Sequence, residues 1–314
     1  MSINLKNAKI IFMGTPNFSA PILSGLIDNY KVITIVTQPD KKAGRQQILS
    51  QSPIKQIAKA NNIEVFQPEK LKDNQAFFNK IKELNPELIV VAAYGFILPK
   101  QILAIPRYGV INVHASLLPK YRGASPIQAA ILNGEKETGV TIMLVNEKMD
   151  QGDILSQAKA NLDQDETFLS LHDKLSVLGA HLLINTLPQY LNGEIQPKKQ
   201  DDAKATYCPI ITKADGKIDW LKSADEIERQ VRAFYPWPGT WTFWNNKKLK
   251  IHKVSKLNTE KDKAGKVFEF DNGLAVSCGQ NSLKIEELQL EGKKIMTAKE
   301  FLNGYKNIIG SILQ

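Results

Sequence analysis

The chain has 314 residues, 43 % of them hydrophobic, with 41 Lys and Arg against 32 Asp and Glu and a formal net charge of +9. This excludes a disordered or collagen-like chain, and with only Cys208 and Cys278 it excludes a disulfide scaffold. The longest apolar run, Leu88–Leu98, is too short for a bilayer, and the first residues lack a basic start followed by an apolar stretch, so a cytoplasmic protein of two domains is expected.

In chain order, Lys9–Met13 is a short apolar strand ended by Gly14, and Phe18–Ile27 has helical spacing at Phe18, Ile22, Leu23 and Leu26. Lys31–Thr37 is a β-branched strand stopped by Gln38-Pro39-Asp40, and the polar, basic stretch 40–52 reads as a loop. Pro53–Asn61 suits a helix opened by proline, Glu64–Phe66 a short strand, Asn74–Leu84 a helix and Leu88–Ala93 a fully buried strand. Apolar strands alternating with helices predict an α/β fold whose mostly parallel sheet carries helices on both faces. Gly109–His114 continues as a strand, followed by a Pro- and Gly-punctuated loop, a short helix at Ile127–Leu132, a strand at Gly139–Val145 and a long amphipathic helix at Thr167–Tyr190.

Beyond it the chain turns polar and loses periodicity. Residues 1–189 are read as one domain, 190–207 as a linker and 208–314 as a second domain. Ser223 with Glu226 three residues on is a capping-box start for a helix to Phe234. Short β-like runs follow at Thr240–Phe243, Lys248–Lys253, Gly265–Phe270, Leu274–Cys278 and Leu283–Leu290, which predict a small β-barrel. Charge is denser in this part: residues 1–204 hold 23 basic and 19 acidic side chains, residues 205–314 hold 18 and 13. Eight lysines lie between Asn245 and Lys266; such a run is either a solvated face or a polyanion surface.

Two nucleotide signatures fail. The first strand is followed by Gly14-Thr15-Pro16-Asn17-Phe18-Ser19, with one glycine where a dinucleotide turn needs three, and there is no phosphate-binding G-x-x-x-x-G-K-[S/T]. The sheet is Rossmann-like without the usual phosphate cradle. The informative cluster is Asn112-Val113-His114 at the end of a strand, where a period of two puts Asn112 and His114 on one face. An asparagine there can donate to a developing oxyanion, and a histidine adds acid–base or cationic help. Asp150 follows the next strand and could orient the imidazole or a water. Taken singly, the histidine also fits a hydrogen-bonded core residue and the aspartate a turn residue. His172, His181 and His252 lack metal-ligand spacing.

Taken together, Asn112-Val113-His114-Ala115-Ser116-Leu117-Leu118-Pro119-Lys120-Tyr121-Arg122-Gly123-Ala124-Ser125-Pro126-Ile127, Glu137–Met143 and Asp150-Gln151-Gly152-Asp153-Ile154 closely resemble the folate-dependent formyltransferase family. Phe12–Phe18, Val36–Asp40 with Ala43-Gly44-Arg45, Asp215–Trp220 and Arg232–Trp241 resemble its tRNA-modifying branch, so that nearly the whole chain is covered. The resemblance implies formyl transfer from 10-formyltetrahydrofolate, as co-substrate, to methionine-charged initiator tRNA by a monomer that needs no metal, with an OB-like C-terminal barrel. It implies catalytic roles for Asn112, His114 and Asp150 and folate contacts at Ser116, Leu117, Leu118 and Pro119, with Tyr94, Gly95, Phe96, Ile97 and Leu98 lining the pteridine pocket, where Phe96–Leu98 equally fit simple core packing. It implies tRNA contacts at Lys41, Lys42 and Arg45, and the charge pattern adds Lys247, Lys248 and Lys250. The family's Gly-Arg pair is usually followed by a glycine and two lysines; here Gln46-Gln47-Ile48-Leu49 stands there, which implies an altered grip on the tRNA with Arg45 as its main survivor. Three rivals fit less of the sequence. A related formyltransferase or hydrolase acting on another amine, a sugar nucleotide or water would not need the lysine-rich barrel. An RNA-binding protein would not need Asn112, His114 and Asp150, and a dehydrogenase would need the missing glycines.

Overall fold

The computed structural model describes residues 8–43, 48–259 and 262–314. The elements in order are β1 (Lys9–Gly14), α1 (Ser19–Asn29), β2 (Lys31–Val36), β3 (Lys41–Ala43), β4 (Ile48–Ser50), α2 (Pro53–Ala60), β5 (Val65–Phe66), α3 (Gln75–Leu84), β6 (Leu88–Ala92), α4 (Lys100–Leu103), β7 (Val110–His114), β8 (Arg122–Gly123), α5 (Pro126–Leu132), β9 (Glu137–Leu144), β10 (Ile154–Asn161), α6 (Phe168–Leu191), β11 (Tyr207–Cys208), α7 (Ala224–Phe234), β12 (Thr240–Trp244), β13 (Lys247–Leu257), β14 (Val267–Phe270), β15 (Gly273–Ser277), β16 (Ser282–Leu290), β17 (Met296–Thr297) and α8 (Ala298–Gly304). Among the described residues no helix is long and apolar enough to cross a membrane.

The chain divides into two compact units. One comprises Met1–Pro126, Glu137–Asn161 and His172–Cys208, and the other Ile127–Lys136, Leu162–Leu171 and Pro209–Gln314. The first is built on a seven-stranded sheet in the order β10-β9-β7-β6-β1-β2-β5. β7, β6, β1, β2 and β5 run parallel; at one edge β9 joins β7 antiparallel, and β10 joins β9 antiparallel and so runs with the parallel strands. Strand β6 is buried throughout, because both faces of the parallel part are covered. On one face Ile11, Met13, Ile89 and Val91 pack with Phe77 and Ile81 of α3 and Ile102 of α4. On the other, α6 lays Gly179 against Val113, Val140 and Ile22 of α1.

Several elements differ from the sequence reading for physical reasons. The stretch 40–52 carries the paired strands β3 and β4 rather than a plain loop, too short for a period-of-two signal. β10 alternates half-buried and exposed residues as an edge strand and so lacks the apolar run that reveals a buried one. Residues 192–208 are polar and aperiodic, yet Lys198 pairs its backbone with Ile154, and Tyr207 and Cys208 form β11 beside β8.

In the second unit β12-β13-β16-β15-β14 form one antiparallel sheet. Its two edges meet on the last residues of the chain. Phe243 exchanges backbone hydrogen bonds with Gln314 at 2.9 and 3.1 Å, while Val267 N–H donates to the Ser311 carbonyl at 2.9 Å and Leu313 N–H to the Gly265 carbonyl at 2.8 Å. The C-terminal residues thereby bridge the two edge strands, β12 and β14, which suits a small barrel. Trp220, Trp244, Leu249, Ile251 and Phe301 belong to its core. The capping box at Ser223 and Glu226 forms, and a second, at Thr297 and Glu300, starts α8. Removing residues 311–314 should cost the barrel about 6 kcal/mol, from these four hydrogen bonds and the buried Leu313 side chain. A denaturant melt followed by tryptophan fluorescence should show the loss as a lower midpoint.

Candidate active site

The parallel sheet fixes where polar chemistry can gather. From β1 the chain moves outward through β2 to β5, then crosses back to β6 and on to β7. Open sheets bind ligands at such a reversal, outside the carboxyl ends of the strands. Those ends here are Gly14-Thr15, Ala92–Leu98 and Asn112–His114, in register through Gly14↔Ala92 and Val91↔Asn112.

Asn112 is half-buried on β7 and, among the described residues, its side chain makes no hydrogen bond; His114 is buried. The His114 Nε2–H donates to the Tyr121 carbonyl at 3.0 Å, since a carbonyl can only accept. That leaves Nδ1 as the nitrogen facing Asp150, 3.7 Å from Oδ1. The distance suits an ion pair when the ring is charged but is too long for a hydrogen bond. The other carboxylate oxygen, Oδ2, accepts from the Gly123 N–H at 2.8 Å. The structure therefore brings His114 and Asp150 together across 36 residues of sequence, which no spacing rule could do.

The loops that hold this pair are tightly packed. A Cβ on Gly123, which has φ of +119°, would stand 2.3 Å from the Cys208 carbonyl, and one on Gly152 would stand 1.7 Å from the Leu144 carbonyl. Arg122, with 1 % of its surface exposed, donates to Gln200 Oε1 at 3.0 and 2.8 Å, to Asp202 at 2.7 Å and to the Tyr207 hydroxyl at 3.2 Å. Gln200 Nε2 in turn donates to the carbonyls of Asp150 at 2.9 Å and Gly152 at 2.7 Å. The sequence reading passed over Arg122 and Gln200. Arg122 stands beside a motif glycine, but 78 residues separate it from Gln200, which sits in an aperiodic polar stretch.

The expected folate residues divide. Ser116 is fully buried; its hydroxyl donates to the Lys120 carbonyl at 2.7 Å and its carbonyl accepts from Thr141 Oγ1 at 2.6 Å. Leu118 is buried and joined to Pro119 by a cis peptide, with Leu117 and Pro119 half-buried. Gln157 donates to the Leu118 carbonyl at 2.8 Å and clamps the loop to β10. In the segment after β6, Tyr94 and Leu98 turn into the core and Tyr94 meets Phe96 edge-on at 5.5 Å. Gly95 and Ile97 face outward, Ile97 with 79 % of its surface exposed. The Tyr94 carbonyl accepts from Thr15 Oγ1 and Gln38 Nε2 at 3.1 and 3.0 Å, which ties the ends of β1, β2 and β6 together. Lys41 donates to Gln38 Oε1 at 2.7 Å. Arg45 and the side chain of Lys42 lie outside the described residues.

On the barrel, Lys247 and Lys250 are exposed, and the Lys248 ammonium sits 4.0 Å over the Trp241 ring, on the outward face that Trp241 shares with Phe243. Lys253 and Lys256 are engaged by Glu286 and Asp225, and Lys266 pairs with Asp262. His252, on the same strand, lies 3.3 Å from Gln289. Burial holds its pKa below the usual value, only partly opposed by the Gln289 hydrogen bond, and Lys250 lowers it further.

A model described as formyl transferase matches residues 7–187 of the chain, and one described as formyl transferase, C-terminal domain, matches residues 210–306. A methionyl-tRNA formyltransferase of Caldanaerobacter subterraneus subsp. tengcongensis is 48 % identical over 308 residues, covering 98 % of this chain and 100 % of that protein. One from Caldicellulosiruptor saccharolyticus is 49 % identical over 310 residues, 97 % of this chain and 99 % of its own. Among solved structures, an N-formyltransferase of Helicobacter canadensis in complex with folinic acid and dTDP-3-aminofucose has a TM-score of 0.68 at 21 % identity, over 88 % of this chain and 98 % of that one. HypX of Aquifex aeolicus in complex with tetrahydrofolic acid has a TM-score of 0.62 at 15 % identity, over 96 % and 47 %. These two likenesses bear on the fold.

Two measurements test the geometry directly. Gly152→Ala should lower the thermal midpoint by several degrees, because the new methyl must displace the β9 backbone, with amide shift changes concentrated in residues 121–124, 143–145 and 150–153. For His252 the folded pKa lies below that of the unfolded chain, about 6.5. As the pH falls the unfolded chain binds the proton first, so this group costs stability below about pH 6.5 and contributes nothing above it. The stability that His252→Gln loses or gains at pH 7.5 should therefore shift in the variant's favour at pH 5, read from denaturant melts at both values.

Proposed function

The chain belongs to the formyl transferase family, and from that membership we propose that it transfers a formyl group from 10-formyltetrahydrofolate to the α-amino group of methionyl initiator tRNA. The observation that carries the reading is the near-full-length similarity to methionyl-tRNA formyltransferases, joined to a site that has the donors the reaction needs at the sheet's reversal point.

The formyl carbon on the folate nitrogen is amide-like and a poor electrophile. The methionyl amine attacks it, a C–N bond forms, charge moves to the formyl oxygen, and the bond to the folate nitrogen then breaks as that nitrogen takes the proton the amine gives up. The Asn112 amide, with no hydrogen-bond partner among the described residues, is free to donate to that oxygen. His114 meets the reacting atoms through Nδ1, because Nε2 is held by the Tyr121 carbonyl. As an imidazolium its Nδ1–H donates beside Asn112, with its charge balanced by Asp150. Asp150, anchored through Oδ2, keeps Oδ1 for the ring and for a water that moves the proton between the two nitrogens. Holding both substrates in line supplies the remaining acceleration.

Ser116, Leu117, Leu118 and Pro119 offer backbone and apolar edges to the folate, and Gly95, Phe96 and Ile97 extend that wall. Lys41, Lys42 and Arg45, with Lys247, Lys248 and Lys250, meet the tRNA. The enzyme acts as a cytoplasmic monomer, with a catalytic domain to residue 189 and the barrel from 208 as its tRNA module.

Asn112→Ala, His114→Ala and Asp150→Asn should each lower single-turnover formyl transfer by ~10²–10³ with melting curves near wild type. Near-normal transfer in His114→Ala would overturn its assignment. Replacing Lys247, Lys248 and Lys250 together by alanine should weaken tRNA binding and reduce the slope of log affinity against log salt by about two to three. An unchanged slope would remove the barrel lysines from the interface.

A further inference from the structure

We propose that Gln200 is a positioning residue for the formyl transfer: it fixes the Asp150–Gly152 turn onto the buried guanidinium of Arg122 and so sets the direction of the Asp150 carboxylate. This rests on the catalytic reading of Asp150. The amide is used at both ends. Its oxygen accepts from Arg122 Nε and Nη2, and its nitrogen donates to the carbonyls of Asp150 and Gly152. Asp150 needs such support, because it adopts φ of +52°, a region that side-chain-bearing residues rarely occupy, on a turn outside any strand. Among the described residues its carboxylate has one anchoring hydrogen bond, from the Gly123 N–H, and that glycine follows Arg122. Arg122 thus fixes Asp150 from two sides: through the backbone of β8, which carries the Gly123 N–H, and through Gln200. Displacing the turn by about 1 Å moves Oδ1 away from the imidazole and from the relayed proton, and misplacements of that size cost up to about 10²-fold in rate.

Gln200→Glu separates positioning from bulk structure. It keeps an acceptor for Arg122, so no buried charge is left alone, but sets a carboxylate oxygen against two carbonyl oxygens. Gln200→Asn keeps the amide but, one methylene shorter, cannot reach Arg122 and both carbonyls at once, and serves if the first variant does not fold. Formyl transfer from 10-formyltetrahydrofolate to methionyl initiator tRNA would be measured for both, beside Asp150→Asn, with melting curves. The expected result for Gln200→Glu is kcat lowered ten- to hundredfold, KM for the folate donor within about twofold, and a displaced pH–rate profile, in an enzyme that still melts cooperatively with a midpoint lowered by several degrees. A Gln200→Glu enzyme (or Gln200→Asn, should the first not fold) with kcat and pH profile of the wild type, while Asp150→Asn is inactive, overturns the positioning role and leaves the catalytic reading standing. Full activity in Asp150→Asn overturns both.

Discussion

A guanidinium removed from water has to be paired, and in this protein the pairing of Arg122 decides the shape of the site. Its acceptors, Gln200, Asp202 and Tyr207, all come from the polar stretch after the long helix α6. That stretch is therefore drawn along the first unit, where Thr206 Oγ1 also accepts from the Tyr121 N–H at 2.8 Å and β11 lies beside β8. One consequence is mechanical. The loop 115–123 holds the imidazole through the Tyr121 carbonyl and the carboxylate through the Gly123 N–H, so a single short segment carries the partners of both groups.

The parts legible in the sequence are those whose physics is local. Buried parallel strands appear as apolar runs, a strand's period of two puts Asn112 and His114 on one face, and the Ser223 capping box is written in four consecutive residues. What stayed hidden depends on partners far along the chain. The edge strand β10 exposes Gln157, Lys159 and Asn161 in alternation with half-buried neighbours, and it carries the Gln157 amide that clamps the Leu118 carbonyl. Gln200 has no signature at all, because its role exists only once Arg122 and the Asp150 turn have been brought to it. The bridge that residues 311–314 make between the two edge strands is likewise a pairing of backbone with backbone, to which side-chain pattern is blind.

The surplus of positive charge takes on structure in the same way. A count of eight lysines between Asn245 and Lys266 overstates the free cationic surface, since Lys253, Lys256 and Lys266 are engaged by carboxylates of the same unit. Exposed pairs of this kind contribute little stability, but they neutralise field. Lys248 is held over an aromatic ring instead, which leaves its charge in place and gives it a direction. A polyanion approaching the β12–β13 face therefore meets an ordered cation beside two aromatic side chains, flanked by the exposed Lys247 and Lys250.

The candidate groups are held in two ways, by the sheet and by contacts between loops. Asn112 and His114 stand on a strand bonded on both sides, by β6 and β9, so the groups proposed to meet the formyl oxygen are fixed by the sheet itself. Asp150 stands on a turn, and its position is a balance of the Gly123 N–H, the Gln200 amide and the close backbone approach at Gly152. Such a division suits a reaction in which charge develops at one point while a proton must travel between two nitrogens. A fixed donor set costs no reorganisation when the oxygen becomes charged, whereas the group that handles the proton must serve an attacking and a leaving nitrogen in turn. The 3.7 Å gap between Nδ1 and Oδ1 is too wide for a hydrogen bond, so neither atom is satisfied by the other.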